Sequence, residues 1–136
     1  MTDKKFINSW KIADFEIETD TGWADITALH QTVPYKIYEI ETETGLKLKC
    51  ADNHIVFDEN MNEIFIKEKP TCIKTINGNE KIIDFKILNI YENMYDFELS
   101  ENSNHRYYTN GILSHNTLLC KTIARMIDVP FVIADA

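Results

Sequence analysis

Short runs of alternating apolar and polar residues, each cut off by a glycine turn, govern what this chain can fold into. Ile12–Thr19 (IADFEIET) alternates, and Asp20-Thr21-Gly22 turns it into Trp23–Ile26. Tyr35–Thr42 (YKIYEIET) alternates again, with Glu43-Thr44-Gly45 as the turn and Leu46–Cys50 as the return arm. A period of two sends alternate side chains to opposite faces, and Gly supplies the positive φ that tight hairpins need. Further strands are expected at Ile55–Phe57, Glu63–Ile66, Cys72–Ile76, Lys81–Ile90, Tyr95–Leu99, Arg106–Thr109 and Ile112–Leu113, with turns at Asn77-Gly78-Asn79 and Asn110-Gly111. Many short strands between turn signals indicate an all-β fold.

Composition sets the outer bounds. The chain has 136 residues, enough for one domain and little more, and 44% of them are hydrophobic, which excludes disorder and linker-type sequence. Fourteen Lys+Arg against 22 Asp+Glu leave a net charge of −8, so no electrostatic footprint for nucleic acid or an anionic membrane is expected. The acidic residues mostly occupy the polar phase of the strands and read as a solvated face. Cys50, Cys72 and Cys120 are widely spaced and form no CxxC pair, so neither a disulfide framework nor a zinc site fits them. No stretch approaches the roughly 18 apolar residues of a spanning helix. The start, MTDKKFINSWKI, lacks a secretory signal pattern, and a cytoplasmic chain is expected.

After about residue 116 the pattern changes. Thr117–Met126 places Leu118, Leu119, Ile123 and Met126 at helical spacing, Pro130 breaks the run, and Phe131–Ala136 is a short apolar strand. A helix and one strand cannot form a core alone. This tail resembles the nucleotide-binding core of the Clp protease ATPase subunit X (ClpX), an AAA+ unfoldase. The resemblance rests on Thr117-Leu118-Leu119, Ala124-Arg125, Asp128-Val129-Pro130-Phe131 and Ala134-Asp135-Ala136. In that family the segment follows a GxxxxGK phosphate loop, and Thr117 matches the loop's final Ser/Thr. Here Asn110–Asn116 (NGILSHN) precedes it instead, which cannot cradle a phosphate.

That upstream stretch resembles a different family, the inteins of the Hedgehog/intein (HINT) fold. NGILSHN followed by Thr117 is similar to a C-terminal splice junction, with penultimate His115, terminal Asn116 and Thr117 opening the downstream flank. Met94–Leu99 (MYDFEL) followed by His105 resembles the preceding family motif, with Asp96 as its acidic residue. Leu48–His54 (LKCADNH) resembles the block ending in TxxH; Ala51 stands where the family usually has Thr, removing a hydroxyl expected near the first acyl shift.

The two resemblances imply a division into an intein C-terminal fragment at 1–116, a HINT fold lacking its first strand or strands, and a short α/β extein tail at 117–136. They also imply roles. Thr117 takes an acyl group onto its Oγ, with Asp96 accepting the proton; the Asn116 side-chain nitrogen then attacks its own carbonyl carbon, closing a succinimide and releasing the tail. His115, with His105, polarises that carbonyl and protonates the departing amine, and His54 activates the upstream scissile bond. The family's opening Cys or Ser block is absent from Met1–Lys11. The resemblance therefore implies a complementary N-terminal fragment that carries a Cys or Ser nucleophile and the upstream ClpX-like part. Until it pairs, a groove edge is expected to stand open. The reaction would be autocatalytic and single-turnover and need no cofactor, ATP and Mg²⁺ serving only the spliced ClpX-like product.

The same residues carry plainer readings. His30 reads as a structural histidine. His105, between Asn104 and Arg106, suits a structural hydrogen bond as well as acid–base work, and Asp96 could cap backbone donors in a turn. Cys50 and Cys72 read as packed thiols. Tyr91, Tyr95, Phe97, Tyr107 and Tyr108 read as core and rim rather than a base-stacking platform. Two rival functions remain: a ClpX-like ATP-binding fragment with a β-rich regulatory module, and a HINT module that does not splice.

Overall fold

The computed structural model describes residues 5–100, 104–115 and, by backbone alone, 117–119. They form β1 (Phe6–Lys11), β2 (Glu16–Thr19), β3 (Gly22–Thr42), β4 (Lys47–Ala51), β5 (Ile55–Phe57), β6 (Glu63–Phe65), β7 (Cys72–Thr75), β8 (Gly78–Leu99), β9 (Tyr107–Thr109), β10 (Ile112–His115) and β11 (Thr117–Leu119). A single 3₁₀ turn, Ile66–Glu68, interrupts the series. The sheet path runs β1-β3-β8-β7-β10-β5-β6, with β2 and β4 also on β3, β9 on β10 and β11 on β8. The all-β expectation holds.

Two strands organise everything else. β3 and β8, of 21 and 22 residues, pair antiparallel from Ile26↔Leu99 to Thr42↔Ile82. At about 3.3 Å per residue each would reach roughly 70 Å if flat, so they must curl. Register shifts between Gln31 and Pro34 and between Lys36 and Tyr38 supply the bends. From sequence only Trp23–Ile26 and Tyr35–Thr42 are expected as strands in this stretch, and a proline at 34 cannot donate to a ladder. The structure runs it through, because Pro34 sits at the bulge and Thr32 takes over there. The Met94 N–H donates to Thr32 Oγ1 at 2.9 Å, and Asn93 Nδ2 donates to the Thr32 carbonyl at 2.8 Å.

Curling gives two lobes. Ile12, Ile17, Ile26, Leu29, Phe97 and Tyr107 fill one core, and Ile40, Leu48, Val56, Ile66, Ile73 and Ile112 the other. Ile37, Ala51 and Met94 form a third, smaller cluster. Cys50 is buried in the second core. Burial, then the Glu59 carboxylate, push the Cys72 thiol up, which keeps it a weak nucleophile.

The tail corrects one expectation. Thr117–Leu119, whose spacing suggested the opening of a helix, form a strand in the register Thr117↔Asp96, Leu118↔Tyr95, Leu119↔Met94. The edge of β8 offers partners for their backbone groups, and tertiary pairing overrides helical spacing. The rest of the expected helix, the Pro130 break, Phe131–Ala136 and Cys120 lie outside the described residues.

Candidate functional site

The first lobe opens a cleft of about 240 Å³ lined by Phe6, His30, Asp96, Glu98, His105 and His115, among others. Strand register brings most of them there. Ser9 on β1 pairs with His30 on β3, His30 with Asp96 on β8, and Asp96 with Thr117 on β11, so one row crosses four strands. Paired residues in antiparallel strands have Cα atoms about 4.5–5.5 Å apart and project to the same face. Asp96 is 6% exposed. Its negative charge is felt in the core: burial first, and Asp96 second, push the fully buried Tyr107 phenol well above its usual range. Tyr107 meets Phe97 edge to face at 5.8 Å between ring centres.

His105 sits at φ +62°, in the left-handed region that a non-glycine residue enters at a cost of about 1–3 kcal/mol. Its neighbours hold it. Asn104 Oδ1 accepts the Arg106 N–H at 3.1 Å, Asn104 Nδ2 donates to Asp20 Oδ1 at 3.0 Å, and the Arg106 guanidinium donates to Asp20 Oδ2 at 2.8 Å. The β2–β3 turn thus anchors the segment that carries His105 to the cleft.

His115 ends β10 and pairs with Ile55, next to His54. His54 is fully buried, and its Nε2 lies 3.0 Å from Ser114 Oγ. The Ser114 hydroxyl donates its one proton to the Ile112 carbonyl at 3.1 Å, so it accepts from His54, and a neutral ring is held as the Nε2–H tautomer. His54 does not line the cleft; it stands behind the strand that delivers His115. The sequence offered Ser114, the partner of His54, only as the residue before His115. Asn116 lies outside the described residues, as do the atoms of the Thr117 side chain.

His30, read from the sequence as structural, belongs to this cleft. Its Nδ1 lies 2.7 Å from Ser9 Oγ and its Nε2 3.1 Å from Glu98 Oε1, and its ring stacks on Phe6 at 4.5 Å and 14°. The alternation of Asp96 and Glu98 on β8 was the available signal for a second carboxylate on this face; nothing in the sequence marked His30 as its partner.

Among solved structures, the chain is similar to the VidaL intein (selenomethionine variant) at 27% identity, over 75% of this chain and 70% of that one, with a TM-score of 0.69. It is similar to the gp41-1 intein at 25% identity, over 74% and 79%, with a TM-score of 0.64. A consensus engineered intein (Cat) with an atypical split site matches at 19% identity, over 87% and 91%, with a TM-score of 0.61; that likeness concerns the fold alone. No protein-family model and no curated protein sequence matches the chain. The fold is the intein, or HINT, fold.

Proposed function

We propose that this chain is the C-terminal fragment of a split intein, with residues 1–116 as the splicing domain and 117–136 as the start of a ClpX-like downstream flank. The carrying observation is the register that sets the Thr117 backbone opposite Asp96 beside a cleft with two further junction histidines, His105 and His115. The HINT fold and the structural likeness to inteins support it.

The partner brings a Cys or Ser that has taken up the acyl group of the upstream flank. Asp96 removes the Thr117 hydroxyl proton, Thr117 Oγ attacks that acyl carbon, and the partner's thiol or hydroxyl departs with a proton. The Asn116 side-chain nitrogen next attacks its own carbonyl, His115 and His105 protonate the leaving amine of Thr117, and the ester shifts to an amide unaided. His54, steered by Ser114, serves the upstream bond. Each step is intramolecular once the fragments pair, and proximity supplies most of the rate. Only side chains and backbone take part, so no cofactor is invoked. Joining the flanks would restore GK–T and with it a phosphate loop whose nucleotide and Mg²⁺ belong to the product.

Mixing the chain with a complementary fragment and weighing the products tests the reading. A ligated product is expected, Asn116→Ala should accumulate the branched ester, and Thr117→Ala should yield cleavage alone. Ligated product at an unchanged level from Asn116→Ala would sink the mechanism.

A further inference from the structure

Asp96 and Glu98 are two residues apart on β8 and line the same cleft, so two carboxylates face one reaction centre. Only one of them stands in the row with Thr117. The other has a donor of its own: Glu98, 61% exposed, accepts from His30 Nε2, while Ser9 engages Nδ1 and Phe6 stacks on the ring. With Nε2–H donating to Glu98, Nδ1 of a neutral ring accepts from the Ser9 hydroxyl, so both ring nitrogens are engaged.

We propose that His30 is a positioning residue for the junction: its Nε2–H holds the Glu98 carboxylate in a hydrogen bond to β3 and offsets its charge, leaving Asp96 as the carboxylate that takes the Thr117 proton. The inference rests on the splicing reading for the role of Asp96 and adds a residue to that site. A like charge left without that donor beside Asp96 would hold a proton on it at higher pH, because ionising the second of two neighbouring carboxylates is disfavoured. The groups facing His30 are Ser9 from β1, Asp96 and Glu98 from β8, His105 from the loop before β9 and His115 from β10. Of these, Ser9 and Glu98 bond its ring nitrogens.

Carboxyl-carbon NMR of the isolated full chain follows the Asp96 titration directly and needs no partner. His30→Phe keeps a ring for Phe6 but removes the donor to Glu98; the Asp96 midpoint should move up. Adding Glu98→Gln to that variant should return it to its original place, while Glu98→Gln alone should move it little. An Asp96 midpoint that stays put in His30→Phe, or stays raised in the double variant, overturns the proposal. Ring-nitrogen shifts of the unaltered chain give a second decision should His30→Phe not fold. They should report a fixed Nε2–H tautomer where the ring is neutral, and an averaged one overturns the clamp.

In reactions with a complementary fragment, His30→Phe should slow branched-ester formation roughly 5- to 10-fold at pH 6 and under about twofold at pH 8.5. A merely structural loss would lower both alike. If the unaltered chain makes no branched ester, the splicing reading fails, while the titrations still decide the role of His30.

Discussion

Strand β8 carries two buried carboxylates whose surroundings differ sharply. Glu80, 2% exposed, accepts from Thr44 Oγ1 at 2.7 Å, the Thr44 N–H at 3.1 Å, Thr75 Oγ1 and Asn77 Nδ2. Burial pushes its pKa up, but the donors of Thr75, Thr42 and Thr44 overcome that and bring it down to about 2. Asp96, at the other end of the strand, looks instead into a cleft shared with imidazoles and a second carboxylate. Donors closing round an oxygen make a carboxylate a structural anchor; a cleft with titratable neighbours leaves its proton traffic open to chemistry. Burial alone would have ranked the two together.

Exchanging the charges separates them. Asp96→Asn should lower branched-ester formation by about 10²–10⁴-fold, the usual worth of a positioned base, with little change in urea midpoint. Glu80→Gln should do the reverse: rate per folded molecule preserved, stability reduced. A time course by mass and a urea titration on each variant give both readings, and equal loss of rate in the two would erase the contrast.

Glu80→Ala goes further, orphaning the donors of Thr44, Thr75 and Asn77 at a cost of about 2–4 kcal/mol by urea denaturation. Its pH dependence has a definite sign. A folded pKa of about 2, below the ordinary 4.5, stabilises the fold fully above pH 4.5 and loses that contribution as pH falls towards 2. The stability gap between the unaltered chain and Glu80→Gln should therefore narrow through that window. A constant gap would mean that the carboxylate is not held by its charge.

How far the sequence led depends on whether a feature is local. Ile55–Phe57, a short apolar run, and the turns at Gly22, Gly45, Gly78 and Gly111, where φ is positive, all appear where expected. Continuity of β3 through Pro34 was not legible, since Thr32 substitutes for the ladder from 62 residues away. Asp96, His105 and His115 were singled out through family resemblance, and the fold brings them to one cleft. His30 and Ser114 were missed as site residues because each acts through a partner far along the chain: Glu98 for one, 68 residues on, and His54 for the other, 60 residues back. Glu80 was hidden in the polar phase of a strand that reads as solvated. Thr117–Leu119 looked helical because edge pairing leaves no trace in local spacing.

Ser114→Ala removes the hydroxyl that orients His54, a buried imidazole next in sequence to the strand that pairs with β10. It should cost about 1–2 kcal/mol and slow upstream cleavage by roughly 10-fold, with tail release from Asn116 less affected. Equal slowing at both bonds would place Ser114 with the scaffold around Glu80 rather than with the site.

The smallest effect is expected at Asp20, which belongs to neither carboxylate class. It lies in the β2–β3 turn, and its oxygens bind Asn104 Nδ2 and the Arg106 guanidinium, the flanks of His105. The Asp20–Arg106 side chains are 21% and 28% exposed, and ion pairs so near solvent contribute about 0–1 kcal/mol. Asp20→Asn should thus barely move the urea midpoint, since an amide oxygen still accepts from Asn104. What changes is the hold on a residue at φ +62°, which relaxes if its neighbours let go. Succinimide formation should slow by about 2- to 5-fold, and 0.5 M salt should slow the unaltered chain towards the variant by screening the same pair. A rate indifferent to both would show that His105 keeps its geometry without Asp20, and that the second lobe's donor-saturated Glu80 has no counterpart supporting the cleft.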